Sequence, residues 1–158
     1  MNKRIFKIAI IVLIIDQIIK GLVSSNLQVN ESIKVIKNIF KITYSQNTGA
    51  AWSILNNHSY IIIIISIIAL VILFRFMYLF KDNKRNNISF GLIIGGTIGN
   101  FIDRIFNGYV IDFIDVTIFK YKYPIFNIAD MCIVIGVILL IYAVFKGEDK
   151  SGNQSKWK

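Results

Sequence analysis

A chain of 158 residues with 55% hydrophobic content and a mean hydropathy of +0.61 carries more apolar surface than a soluble domain of that length can hide, which places it in a membrane. Its formal charge of +9 does not point to nucleic acid, because the cations gather at the ends of apolar runs, where they report orientation and anionic headgroups. The single cysteine, Cys132, excludes an internal disulfide, and one cysteine with one histidine makes a zinc site unsupported, so neither metal nor cofactor is expected. Isoleucine dominates the runs and favours strands in water, but a lipid-exposed backbone must satisfy its own polar groups, so the runs are read as helices.

The first run, residues 5–23, follows Lys3 and Arg4 and is long enough to cross a hydrocarbon core of about 30 Å at 1.5 Å per residue. A cleavable signal peptide is the competing reading, but no small-x-small cleavage site follows and three more such runs do. Within the run, DQIIK puts Asp16 and Lys20 at i and i+4 on one helical face, where they neutralise each other either as a structural ion pair or as part of a site.

Residues 24–59 are too long for a mere connection. Phe40, Ile42 and Tyr44 alternate with Lys41, Thr43 and Ser45, a half-buried strand pattern that suits a small sheet on the membrane surface. It leads into SQNTGAAWS, where Gly49, Ala50 and Ala51 permit close backbone approach. Asn47 there offers a donor and an acceptor, though an ordinary turn role also fits it.

The second run, residues 60–80, is almost pure isoleucine at first and suggests no chemistry. The third, residues 88–106, repeats Gly91, Gly95 and Gly99 every four residues, the small-xxx-small pattern of close helix packing, while Asn100 and Arg104 at i and i+4 project together near its end. Residues 107–127 connect it to the fourth run, with Phe119, Tyr121 and Tyr123 alternating with Lys120 and Lys122 as a second candidate strand. The fourth run spans residues 128–145, and the polar tail from 148 to 158 is expected to be disordered. The expected fold is therefore an all-α polytopic membrane protein, with four transmembrane helices and a small extracytoplasmic β-containing segment, in one domain over residues 1–147. Three cations at the N-terminus, four from Arg75 to Arg85 and four from Lys146 onward place both termini and the 148–158 tail in the cytoplasm, with residues 24–59 and 107–127 outside.

Acids in such surroundings must be paired, hydrogen-bonded or protonated. Asp112 follows the third run by a few residues and Asp130 opens the fourth, so neighbouring helices can bring the two carboxyls together; Asp115, three residues from Asp112, fits the spacing as well. Two such carboxyls in a low dielectric hold one proton between them, and that state suits hydrolysis, with one member activating water and the other donating to a carbonyl. Asn47, Asn100, Arg104 and Asn127 would position the pair and a substrate.

Other hydrolytic arrangements are weaker. A serine triad would need His58, the only histidine; Cys132 reads as a small buried hydrophobe; and a Ser-Lys dyad through Lys20 competes with Asp16. The alternative from a different class is a small transporter or a proton- or cation-path subunit lined by the same acids, although a path should place acids at several depths rather than at one surface.

Read together, DQIIK at 16–20, NTGAAWS at 47–53, GTIGNFIDR at 96–104, VIDF at 110–113 and PIFNIAD at 124–130 resemble the lipoprotein signal peptidases, or signal peptidase II, of bacterial membranes. The resemblance implies a membrane-embedded aspartic endopeptidase that removes signal peptides from prolipoproteins just before a cysteine carrying a diacylglyceryl thioether. By motif position it implies Asp112 and Asp130 as the catalytic pair and Asp115 as a bystander. Asp16, Lys20, Asn47, Gly49, Asn100, Arg104 and Asn127 then fall at supporting positions. It also implies a monomer in the bacterial cytoplasmic membrane, contact with membrane lipids, a site toward the outer face, and inhibition by the cyclic peptide globomycin. On this reading residues 24–59 cradle the substrate, with Trp52 at the membrane boundary.

Overall fold

The computed structural model describes residues 3–49 and 59–149. Ala50, Ala51, Trp52, His58 and the tail from residue 150 lie outside the described residues. Four helices carry the chain: α1 (Lys3–Asn26), α2 (Ser59–Phe76, continued by a 3₁₀ turn at Met77–Leu79), α3 (Lys84–Asn107) and α4 (Ile128–Phe145). Three of them are long and apolar enough to cross a membrane, over Tyr60–Leu79, Lys84–Asn107 and Ile128–Phe145. The 24 residues of α1 match α3 in length, and this helix buries Asp16 and Lys20 on the face that also carries Ile5, Ala9, Val12 and Val23.

The architecture is not all-α. The two segments expected outside the helices join in one antiparallel sheet of order β1-β2-β3-β4, formed by β1 (Ser32–Ile36), β2 (Phe40–Asn47), β3 (Val110–Ile118) and β4 (Tyr121–Lys122). The strand expected at residues 119–123 is largely the wrong one. Phe119 and Lys120 have φ of 49° and 66° and form the two-residue turn of a hairpin, as positive φ at both positions requires, and the long strand is the preceding VIDFIDVTI. That run escaped the alternation test because it is buried on both faces for most of its length, so its apolar residues do not alternate with polar ones.

Helix α3 is the central element. Gly91 and Gly95 face α1, where an added Cβ on Gly95 would lie 2.7 Å from the Ala9 carbonyl. Gly96 faces α4 against the backbone of Ala129, so α3 meets a neighbour closely on two sides. At the end remote from the sheet, Ile5, Ala9, Phe90, Ile94 and Ala143 form an apolar cluster with Met77 and Phe80, the Phe80 and Phe90 rings meeting edge to face at 5.4 Å. At the other end Val23 of α1 packs with Tyr44, Ile111 and Phe113, which seats the sheet on the helix ends. The outward flanks of α2 and α4 expose Ile64, Ile68, Ile72, Val134 and Ile138, the surface that lipid covers.

After α4 the chain folds back. Glu148 pairs with Arg85 and accepts from Asn83 at 2.8 Å, its carbonyl accepts from the Lys81 N–H at 2.9 Å, and Asp149 bridges to Phe80. The Arg85 and Asn83 hydrogen bonds hold the Glu148 carboxyl below its ordinary range. Glu148 and Asp149, the first residues of the expected disordered tail, are thus tied to the turn between α2 and α3.

Candidate active site

The site is built from the start of α4. Asn127 caps this helix in a capping box: its side-chain carbonyl accepts from the Asp130 N–H at 2.9 Å, while an Asp130 carboxylate oxygen accepts from the Asn127 N–H at 3.2 Å. The cap therefore orients both the asparagine and the aspartate three residues on. With its carbonyl held, Asn127 turns its amide nitrogen toward β3 and donates to Asp112 at 2.7 Å. One fully buried residue thus touches both carboxyls.

Two further asparagines are oriented in the same way. The Lys20 ammonium, a group that can only donate, lies 2.9 Å from the Asn100 side-chain oxygen, so the Asn100 amide nitrogen faces Asp130 at 2.7 Å. The Gly49 N–H donates to the Asn47 side-chain oxygen at 2.9 Å, which leaves the Asn47 amide to donate to Asp112 at 2.9 Å. Among the described residues, every protein group hydrogen-bonded to the two carboxyls is therefore a donor, and each of the four carboxyl oxygens takes one such bond. A proton on this pair finds no protein acceptor among these groups, and its partner is the other carboxylate, water or a bound carbonyl.

Behind the pair lies a buried charge network. Lys20 sits 2.7 Å from Asp16 and 2.9 Å from Asp103, and is 1% exposed, so each charge is compensated where desolvation alone would be prohibitive. Asp16 also accepts from the Ala129 N–H at 2.9 Å, reaching from α1 to the first turn of α4 across Gly99, where a Cβ would lie 2.7 Å from the Asp16 carboxylate. Asp103 accepts from Gln17 at 2.9 Å and from the Ile111 N–H at 3.2 Å, which fixes the backbone one residue before Asp112. Arg104 donates to the Gly49 carbonyl at 2.8 Å and to the Asn100 carbonyl at 3.2 Å, holding the turn after β2 over the site.

All of Asp16, Lys20, Asn47, Gly49, Asn100, Arg104, Asn127, Asp112 and Asp130 are thus brought to one place, and Asp115 is not. Asp115 lies three positions after Asp112, an odd offset, so on an extended strand they face opposite sides. Asp115 is buried but accepts from Thr43 at 3.0 Å, with Lys41 and Lys122 each at 3.9 Å. Gln17 and Asp103 have no role assigned to them from the sequence, yet they hold the rear of the site. Their signal was present, as polar residues inside DQIIK and GTIGNFIDR, in runs that otherwise favour lipid.

Burial, and then the neighbouring Asp130 charge, push the Asp112 carboxyl up to about 7 from the ordinary 3.8, against the opposing pull of Asn47, Asn127 and Lys20. The two acids open into a cavity of about 1030 Å³. Its walls include the end of β2 from Ser45 to Asn47 with the following Thr48, residues 123–126, and Met131, Val134 and Ile135 of α4. An acid that stays protonated near neutrality beside a second carboxyl, in a largely apolar cavity, has the components of an acid–base hydrolytic centre.

Fold and site together define a polytopic membrane enzyme. The chain is similar to two solved structures, each described as a bacterial membrane enzyme determined by the in meso method. One has 40% identity and a TM-score of 0.83, with 98% of this chain and 92% of that chain covered; the other has 42% identity and 0.80, with 90% and 92% covered. Residues 8–146 match the family described as signal peptidase (SPase) II, and the chain belongs to that family. It is a lipoprotein signal peptidase, a membrane protease that removes signal peptides from prolipoproteins, and the transporter reading is not favoured.

Proposed function

We propose that this peptidase is of the aspartic type, with Asp112 and Asp130 as the catalytic pair, and that it cuts just before the diacylglyceryl-modified cysteine. The observation that carries the reading is the contact of Asn127 with both carboxyls at the base of the cavity. The ionised member takes a proton from water as it attacks the scissile carbonyl, and the protonated member donates to the carbonyl oxygen. The donor-only surroundings support this, since they leave the acidic proton free to meet the substrate. Asp16, Lys20, Asn47, Gly49, Asn100, Arg104 and Asn127 orient the pair rather than react.

Residues 1–147 act as one domain in which α1 is the fourth span, its two buried charges neutralised within the bundle. Both termini lie in the cytoplasm, so the sheet and the carboxyl pair sit toward the outer face and acyl chains remain in the bilayer beside α4. The protein works as a monomer and is inhibited by globomycin.

The test is cleavage of a diacylglyceryl-modified prolipoprotein peptide by purified wild type, Asp112→Asn, Asp130→Asn and Asp115→Asn. Loss of about a thousandfold or more at the first two, with folding intact and Asp115→Asn largely active, is the expected result. Activity retained by both Asp112→Asn and Asp130→Asn sinks the assignment.

A further inference from the structure

Residues 123–126, which join β4 to α4, run alongside β3 as an irregular continuation of its partner strand. The Tyr123 N–H donates to the Val116 carbonyl at 3.0 Å and the Phe126 N–H to the Ile114 carbonyl at 3.2 Å, while the Phe126 carbonyl accepts from Phe113 and Ile114. Between these anchors Pro124 has no N–H, and the main-chain N–H and C=O of Ile125 have no partner among the described residues. Tyr123, Pro124, Ile125 and Phe126 all line the cavity together with Ser45 to Thr48, and Ile125 is two residues before Asn127. Main-chain polar groups left open on a cavity wall at a strand edge are the donor and acceptor that an incoming extended peptide pairs with.

We propose that the substrate chain binds extended along residues 123–126 as an added strand, exchanging main-chain hydrogen bonds with Ile125, and that this pairing carries the scissile bond across Asp112 and Asp130. The proposal rests on the peptidase reading, which supplies a peptide as the occupant. An extended substrate is also what the chemistry needs, because a helical peptide has its amides engaged internally and does not offer a carbonyl to attacking water. Pro124 fits the same role: at this position it withholds a competing donor, leaving Ile125 as the one residue of the pair that donates and accepts.

The test uses the wild-type enzyme in lipid and a series of diacylglyceryl-modified prolipoprotein peptides. Each is N-methylated at one residue flanking the scissile bond, with the scissile amide left intact. Methylation at the residue that faces the Ile125 carbonyl is expected to raise KM by about three- to tenfold with kcat within about twofold, while its immediate neighbours, whose N–H groups point the other way along a strand, stay near the unmodified value. Ile125→Pro, which removes the enzyme's N–H, is expected to raise KM on the unmodified peptide by a similar factor. A KM that is uniform across the methylated series overturns the proposal, whether or not Ile125→Pro folds. An unmodified peptide left uncut would instead overturn the peptidase reading itself, so the two failures are distinguishable.

Discussion

At the scale of single residues, the site is governed by which atoms are able only to donate. Lys20 holds the Asn100 carbonyl and so directs that amide at Asp130. Lys20→Met is therefore expected to act twice: it leaves Asp16 and Asp103 buried without their cation, at a cost of about 3–5 kcal/mol, and it frees Asn100 to turn its carbonyl toward Asp130. Thermal unfolding in detergent and peptide cleavage read the two effects separately.

The Asp112 carboxyl also gives a signed pH dependence. Its folded value of about 7 lies above the ordinary 3.8, so the fold favours its neutral form. The stability it contributes is complete below about pH 4 and is lost as pH rises through about 7. Asp112→Asn cannot ionise, so its melting temperature should match that of wild type near pH 4 and exceed it most above pH 7. For the same reason the cleavage rate of wild type should fall as pH rises past about 7, and a rate that climbs through that range would argue against Asp112 as the acid. The titration of Asp112 is set by its burial and by Asp130 of α4, Asn47 at the end of β2, Asn127 and Lys20 of α1, with Arg104 of α3 also facing it, so variants of these residues should move that limb.

At the scale of elements, α3 decides the geometry because it meets both neighbours through small residues. Gly95→Val would press a branched side chain against the Ala9 backbone and Val12, and Gly99→Val against the Asp16 carboxylate. Each is expected to cost about 1–3 kcal/mol through overpacking, measured as a lower melting temperature. The second should lose more activity than its stability explains, since it displaces Asp16 from the Ala129 N–H and with it the first turn of α4. Strand β2 supplies a second device. Its pairing with β3 shifts by one residue between Ile42 and Ser45, so that Asn47 meets Asp112 while Thr43 meets Asp115 on the other side.

At the scale of the whole molecule, the helices suspend a sheet at one end and close on themselves at the other through the Arg85 and Glu148 pair. The proposed orientation, with both termini cytoplasmic, predicts that a membrane-impermeant thiol reagent on intact cells labels a cysteine placed at exposed Phe119 and spares one placed at Lys84, in a background with Cys132 replaced. The reverse pattern would invert the topology.

Much of this molecule was legible in the chain alone. Runs of isoleucine long enough for a bilayer located the helices, and Asp16, Lys20, Asn100, Asp112, Asn127 and Asp130 stood out because lipid-facing segments exclude such groups without a reason. Local chemistry set other features, such as the cap of Asn127 on α4 and Gly108, with φ of 80°, ending α3. Long-range pairing was not local in this sense. That residues 32–47 and 110–122 share one sheet depends on strands separated by two whole helices, and no short-range pattern encodes it. The choice between Asp112 and Asp115 on physical grounds also needed the strand, because only an extended backbone turns two acids three residues apart to opposite faces. The sequence by itself determined a membrane bundle with buried acids and amides near one end. Tertiary structure alone decided which side-chain carbonyls are held by donors, and so which amides face the carboxyl pair, because that orientation is set by groups from α1, α4 and the turn after β2 that meet only in the folded chain.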